Sequence, residues 1–199
     1  MSKTYLFIDG TNLYAGQYEL VGPHRYVDFS SFIGEIEKKI RTAFDKIYFY
    51  ASYSPKSKHP THKEKLYLKN EALFYRSVKN TKRTIFFTGY RSKTSGKEKE
   101  VDVKLAVDIV DFAHRNYYDR MYFISGDADF MHGLNLAKKL KKKVYVLALE
   151  NRIPIRFTYN FKTYIFVSKN SKLHSRRFEH QQKIAIVPFN IESFVRSIA

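Results

Sequence analysis

The chain has neither cysteine nor tryptophan among its 199 residues. Lack of cysteine excludes a disulfide scaffold, thiolate zinc sites, iron–sulfur clusters and cysteine nucleophiles. With five prolines and eight glycines, no repeat or low-complexity tract appears. No apolar run approaches the ~18 residues that a membrane-spanning helix needs. The opening segment Met1-Ser-Lys-Thr-Tyr-Leu-Phe-Ile-Asp9 turns acidic after four apolar or aromatic residues, too early for a signal peptide. The expectation is a soluble, cytoplasmic protein.

Negative charge is also scarce. Nineteen Asp+Glu stand against 36 Lys+Arg, a formal net charge of +17, with a pI near 9.8. Such a balance suits a polyanionic partner, either nucleic acid or an anionic membrane surface, and favours nucleic acid. What the chain does have is an apolar fraction of 44%, close to the globular norm and enough for a sizeable core. Its length suits one domain with a short appendage.

The pattern along the chain alternates short apolar runs with helix-period stretches. Tyr5–Ile8 reads as a buried strand ending at Asp9-Gly10. Phe29, Phe32, Ile33, Ile36, Ile40 and Phe44 form a 3.6-period stripe, with Ser30 or Ser31 as cap. Strands are expected at Lys46–Tyr53, Thr84–Tyr90, Arg120–Ser125 and Val144–Leu149. Helices are expected from Pro60 to Arg76, Val101 to Arg115 and Phe130 to Lys142, and the segment 91–100 reads as a polar loop. Repeated strand–helix alternation predicts an α/β three-layer sandwich, a mostly parallel central sheet with helices on both faces. We therefore expect a domain over residues 1–150 and a basic extension over 151–199, packed on the same domain. The extension carries nine Lys+Arg and two Asp+Glu, a net +7. Its strand-like runs Thr163–Val167 and Ile184–Phe189 and its basic stretch Lys169–Arg177 leave three roles open: completing the sheet, a nucleic-acid arm, or dimerisation.

In parallel sheets, ligands bind beyond the carboxyl ends of the strands where the chain order reverses. Two acidic, glycine-containing turns occupy such ends: Asp9-Gly10-Thr11-Asn12 and Ser125-Gly126-Asp127-Ala128-Asp129. Asp102 starts the helix after the third strand. Four carboxylates on one rim repel one another unless a cation neutralises them, and an all-oxygen, thiol-free set suits Mg²⁺ or Mn²⁺. No Lys or Arg occurs from Thr4 to His24 or from Met121 to Ala137, although 36 of 199 residues are cationic. Those gaps fall on Asp9, Asp127 and Asp129. A basic body gathering a phosphate backbone around an acidic, metal-holding centre is the division of labour that cleavage of a polyanion requires. Taken singly, Asp102 and Asp127 read equally as helix caps and Asp9-Gly10 as an ordinary turn.

Three blocks in order, Phe7-Ile-Asp-Gly-Thr-Asn-Leu13, Lys99-Glu-Val-Asp-Val-Lys-Leu-Ala-Val-Asp-Ile109 and Ile124-Ser-Gly-Asp-Ala-Asp-Phe130, resemble the signature blocks of the NYN domain family, a branch of the PIN-like nucleases. The resemblance covers about residues 3–150. It implies a PIN-like fold and metal-dependent phosphodiester hydrolysis, generally of RNA, with a homodimer as a further expectation. By matching positions it implies Asp9, Asp102, Asp127 and Asp129 as metal ligands, with Asn12 orienting a carboxylate or contacting phosphate. The family often has Gly where this chain has Glu100, so either Glu100 adds a carboxylate or the turn is reshaped.

Other candidates carry weaker signals. Ser125 is either a partner of a metal-binding carboxylate or ordinary turn chemistry. Asp108 lies about 600° round the helix from Asp102, which points to a solvated or supporting role. Lys104 reads as a surface lysine. His59 and His62 have i, i+3 spacing but no further zinc ligand. Lys138–Lys143 reads as helix-dipole complement or RNA contact, and Tyr53, Tyr67, Tyr75 and Tyr90 as base-stacking or core residues.

Two rival functions remain. Ile8-Asp-Gly-Thr11 resembles the end of the haloacid-dehalogenase motif, but the nucleophile position is Phe7, which cannot attack phosphorus. A catalytically silent RNA-binding module explains the basic surface but not the cation-free acidic turns. The reading that explains both is a metal-dependent endoribonuclease using one or two Mg²⁺ or Mn²⁺ ions.

Overall fold

Apolar residues at every position, without alternation, mark a strand covered on both faces. The computed structural model describes residues 2–91, 98–171, 173 and 183–198. In it β1 (Thr4–Asp9) is buried along its whole length. The chain continues through α1 (Gly10–Val21), β2 (Arg25–Val27), α2 (Phe29–Ile40), β3 (Lys46–Ala51), α3 (His62–Lys79) and β4 (Thr84–Thr88). A two-residue pair, β5 (Tyr90–Arg91) and β6 (Glu98–Lys99), leads into α4 (Val101–His114) and β7 (Arg120–Ile124). A 3-10 turn, Ala128–Phe130, precedes α5 (Met131–Lys139) and β8 (Lys143–Leu149). Then come α6 (Ile155–Thr158), β9 (Lys162–Val167), β10 (Ile184–Pro188), a second 3-10 turn (Ile191–Phe194) and β11 (Val195–Ser197).

Seven strands form one sheet in the order β10-β9-β8-β7-β1-β3-β4, and every neighbouring pair is parallel. From β1 the chain builds outward through β3 to β4, then returns to the other side of β1 and builds outward from β7. The reversal of strand order therefore falls between β1 and β7, where Ile8 lies opposite Ile124.

Alternation along β1 sends Leu6 and Ile8 into a core with Leu13, Phe29, Phe32 and Phe74 of α1, α2 and α3. Tyr5 and Phe7 enter a second core with Leu105, Ile109, Leu134 and Phe157 of α4, α5 and α6. The sheet is thus the middle layer of the expected sandwich.

Local chemistry sets the helix boundaries. The Asp28 side chain caps α2 through the Ser31 amide, and the expected stripe Phe29, Phe32, Ile33 and Ile36 is buried. That helix stops at Ile40, because Arg41 takes a left-handed φ of 53°. α3 starts at His62, two residues after Pro60, because Thr61 and Glu64 form a reciprocal capping box, which satisfies two otherwise orphaned amides. The sequence pattern showed no helix at Gly10–Val21, since its buried face includes Gly10, Gly16 and Gln17. Gln17 is polar and buried because it accepts from the Val27 amide at 3.0 Å and lies 3.5 Å from Asn70 Oδ1, tying α1 to β2 and α3.

Within residues 151–199, β9 and β10 extend the main sheet. β11 pairs antiparallel with β2, and Arg196 Nε meets Asp28 Oδ2 at 2.8 Å. The expected polar loop begins and ends in the β5–β6 pair, and its residues 92–97 lie outside the described residues. So do 172 and 174–177 of the basic stretch.

Candidate active site

Alternation also decides where Asp9 points. Tyr5, Phe7 and Asp9 share the sheet face covered by α4 and α5, as do Met121, Phe123 and Ser125. The rim residues of β1 and β7 meet there. Ser125 Oγ donates to Asp9 Oδ2 at 2.8 Å, and both residues are buried, Asp9 to 6% exposure. Asp9 Oδ1 accepts from the Asn12 amide at 3.0 Å, so this carboxylate caps α1. Across the crevice, Asn12 Oδ1 accepts from the Gly126 amide at 3.1 Å. Ser125 Oγ also accepts from the Asp127 amide at 3.0 Å. The two acidic turns, more than a hundred residues apart in the chain, are therefore cross-braced by side chains.

Two glycines in these turns are closely packed by other elements. A Cβ on Gly10 would lie 2.2 Å from the Phe49 ring, and one on Gly126 would lie 3.3 Å from the Arg152 carbonyl oxygen. The loop after β8 thus forms a third wall. In it, Asn151 Nδ2 donates to Gly16 O at 3.0 Å and to Glu19 Oε2 at 3.1 Å, and Arg152 is ion-paired with Glu19. Neither Asn151 nor Arg152 had a sequence signal, because nothing in their local spacing ties them to α1.

The remaining candidates sit farther out. Asp127 is exposed, and its Oδ1 accepts from the Asp129 amide at 2.9 Å, so it caps the 3-10 turn. Asp129, also exposed, lines a groove of about 630 Å³ between α4 and α5 with Ala106 and Gly133. Asp102 is exposed in the first turn of α4, on the helix face of Ala106, four residues on. The cap of α4 is Glu100, with no side-chain hydrogen bond. Its φ of 73° is left-handed, a conformation that favours glycine. Of the two expectations for Glu100, this addresses the turn: it keeps a glycine-type conformation, and Glu100 strains to adopt it.

Of the two roles expected for Asp108, the solvated one is excluded: the residue is buried. Tyr50 Oη donates to its Oδ2 at 2.7 Å, and Lys104 is paired with its Oδ1. Burial, then the bond to Asp108, pushes the Tyr50 hydroxyl far above its usual range, so it stays protonated and donates. Lys104 thereby joins this network instead of standing free. Lys142 is buried too, its Nζ donating to Asn116 Oδ1 at 2.7 Å, so the Lys138–Lys143 run is not a uniformly solvated face. Tyr75 is core, Tyr67 packs on Tyr18, and Tyr53 and Tyr90 are exposed.

Among the described residues, no three His, Cys, Asp or Glu side chains gather closely enough to hold a metal ion. His59 and His62 likewise gather no third such ligand among the described residues. Fit to a divalent ion rests on the donor set instead. It is all oxygen, and the buried Asp9 carboxylate is held by the Asn12 amide at Oδ1 and the Ser125 hydroxyl at Oδ2. Ser52, two residues beyond Asp9's register partner Tyr50 and of the same parity, has a buried hydroxyl without a partner. Mg²⁺ keeps several waters and commonly takes only one or two carboxylates plus substrate phosphate. The residues therefore fit a hydrated ion, not a closed protein cage.

The family model of the NYN domain matches residues 3–175. A solved structure of a protein of unknown function from Vibrio parahaemolyticus superposes with a TM-score of 0.57 at 15% identity, over 83% of this chain and 92% of that one. At that identity the likeness shows the fold alone. No curated protein matches the chain.

Proposed function

The chain belongs to the NYN domain family, whose members are generally nucleases, and from that premise we propose that it is a ribonuclease dependent on Mg²⁺ or Mn²⁺. The observation that carries this reading is the Ser125–Asp9 hydrogen bond across the reversal point of the sheet. It fixes a buried carboxylate where parallel sheets bind ligands, in two segments that contribute no Lys or Arg.

Asp9 and Asp127 would hold the ion, with Asp102 and Asp129 contributing directly or through water. The bound ion supplies activation of water and stabilisation of the leaving oxygen. Ser125 orients Asp9 by donating to Oδ2, and Asn12 locks the facing turn through the Gly126 amide. The basic surface gathers the phosphate backbone. Phe7, fully buried, leaves the haloacid-dehalogenase alternative without a nucleophile.

Cleavage of end-labelled single-stranded RNA, with and without Mn²⁺, tests the proposal on the parent, Asp9→Asn and Asp127→Asn. Metal-dependent cleavage by the parent, lost in both variants with RNA binding retained, is expected. RNA binding by all three without metal-dependent cleavage by the parent would leave the silent binding module instead.

A further inference from the structure

The loop and short helix after β8 form a surface that the proposed chemistry does not use. Gly126 and Ala128, on either side of Asp127, form one wall of a pocket of about 210 Å³. Pro154, Ile155, Arg156 and Phe157 form the other. At ~30 Å³ per water the volume corresponds to roughly seven waters, room for one ring system and below the ~300 Å³ at which pockets for drug-sized ligands begin. Its contacts are mostly apolar, with a single guanidinium.

Along the segment that forms this second wall, exposed apolar residues flank a cation, the exposed Arg156. Ile155 is 55% exposed and Tyr159 61% exposed. They stand four residues apart, on one side of the helical turn. Lys183 Nζ donates to the Tyr159 carbonyl at 2.7 Å, and Lys138 Nζ to the Asn160 carbonyl at 3.3 Å. Both bonds go to backbone carbonyls at the end of this segment, and Lys138 Nζ lies 5.7 Å from the Phe161 ring centre. An aromatic or apolar platform among cations is how proteins hold unpaired bases and their phosphates. A solvated charged face would not need exposed Ile155 and Tyr159, and a purely apolar partner would not need Arg156 exposed between them.

Resting on the ribonuclease reading above, we propose that this corner is a nucleotide subsite. It takes one unstacked base of single-stranded RNA into the Pro154–Ile155–Phe157 pocket, while Arg156 holds the adjoining phosphate. The base lies beside Asp127, so the strand is anchored next to the carboxylates that would act on it. A duplex keeps its bases stacked and cannot fill the pocket.

The test uses fluorescence anisotropy of labelled single-stranded RNA, its duplex, and the same strand with one abasic position, all in EDTA to suspend cleavage. The proteins are the full-length parent, Ile155→Ala/Tyr159→Ala and Arg156→Gln, with melting curves to check folding. The parent is expected to prefer the single strand. The double variant should lose about tenfold for the single strand, within the range of stacking losses, and little for the duplex. The abasic strand should bind the parent more weakly but the double variant unchanged. Arg156→Gln should flatten the dependence of log affinity on log salt by about one. Equal losses for single strand and duplex, parent-like affinity in the double variant, or failure of the parent to bind single strands would each overturn the subsite. Failure of the nuclease reading is distinguishable: the stacking-dependent binding would persist while the parent showed no metal-dependent cleavage.

Discussion

The turn after β7 and the corner after β8 leave adjacent strands of one sheet, yet their chemistry is opposite. The first is acidic and hydrogen-bonded, with Ser125 and Asn12 fixing it to the first strand's turn. The second exposes Ile155, Arg156 and Tyr159, with Lys183 and Lys138 bonded to the Tyr159 and Asn160 carbonyls. They meet through Gly126, whose missing side chain lets the Arg152 carbonyl approach. Under the proposed function, the difference separates two tasks that conflict in one place. A site that holds a cation repels phosphate less once loaded, but still grips it poorly without neighbouring positive charge. Separating grip from chemistry by the width of one strand lets each be built from suitable residues.

The largest way to break this division is at Asp9. Asp9→Asn should lower metal-dependent cleavage by at least about a hundredfold, the upper end of the loss seen on removing an outer partner of a metal ligand. RNA affinity, measured in EDTA, should stay near the parent's. Ser125→Ala removes the donor to Asp9 and not the carboxylate, so cleavage should fall by roughly tenfold to a hundredfold. Raising the Mn²⁺ concentration should recover part of the Ser125→Ala loss, whereas a merely structural defect would not respond.

Two further substitutions sharpen the contrast without touching either task. Glu100→Gly removes left-handed strain worth ~1 kcal/mol, so urea denaturation should show unchanged or higher stability at the start of α4. Asp28 is remote, joining the α2 cap to β11 through Arg196. Burial raises its pKa, but the Ser31 hydrogen bonds and Arg196 outweigh this and hold it below the usual carboxylate range. Its contribution is thus fully present above the unfolded value of about 3.9 and is lost as pH falls through the lower folded value. Asp28→Asn should cost about 0.5 kcal/mol at pH 7, typical of a partly exposed pair, and the difference should shrink once pH drops below about 4.

The crevice at the reversal of strand order was legible because it depends on few things: strand ends, strand order and glycine-bearing turns. Asp9, Asn12 and Ser125 sit where sequence reading put the crevice. α1 was not legible, because the interior it faces is satisfied partly by hydrogen bonds of Gln17 and not by an apolar stripe. Burial of Asp108 was hidden for a related reason: a charge reads as solvated until the Tyr50 hydroxyl and Lys104 are known to face it. The three-residue strands β2 and β11 gain their place only from each other. The corner at Ile155 becomes meaningful only once β8 lies beside β7, a relation that local pattern does not encode.

Titration of Mn²⁺ into the parent and Asp9→Asn, followed by the electron paramagnetic resonance signal of the free ion, tests the central claim most directly. The account predicts saturable loss of free signal with the parent and no comparable binding with the variant. Equal Mn²⁺ binding by the two proteins, or none by the parent at concentrations that support cleavage, would contradict it.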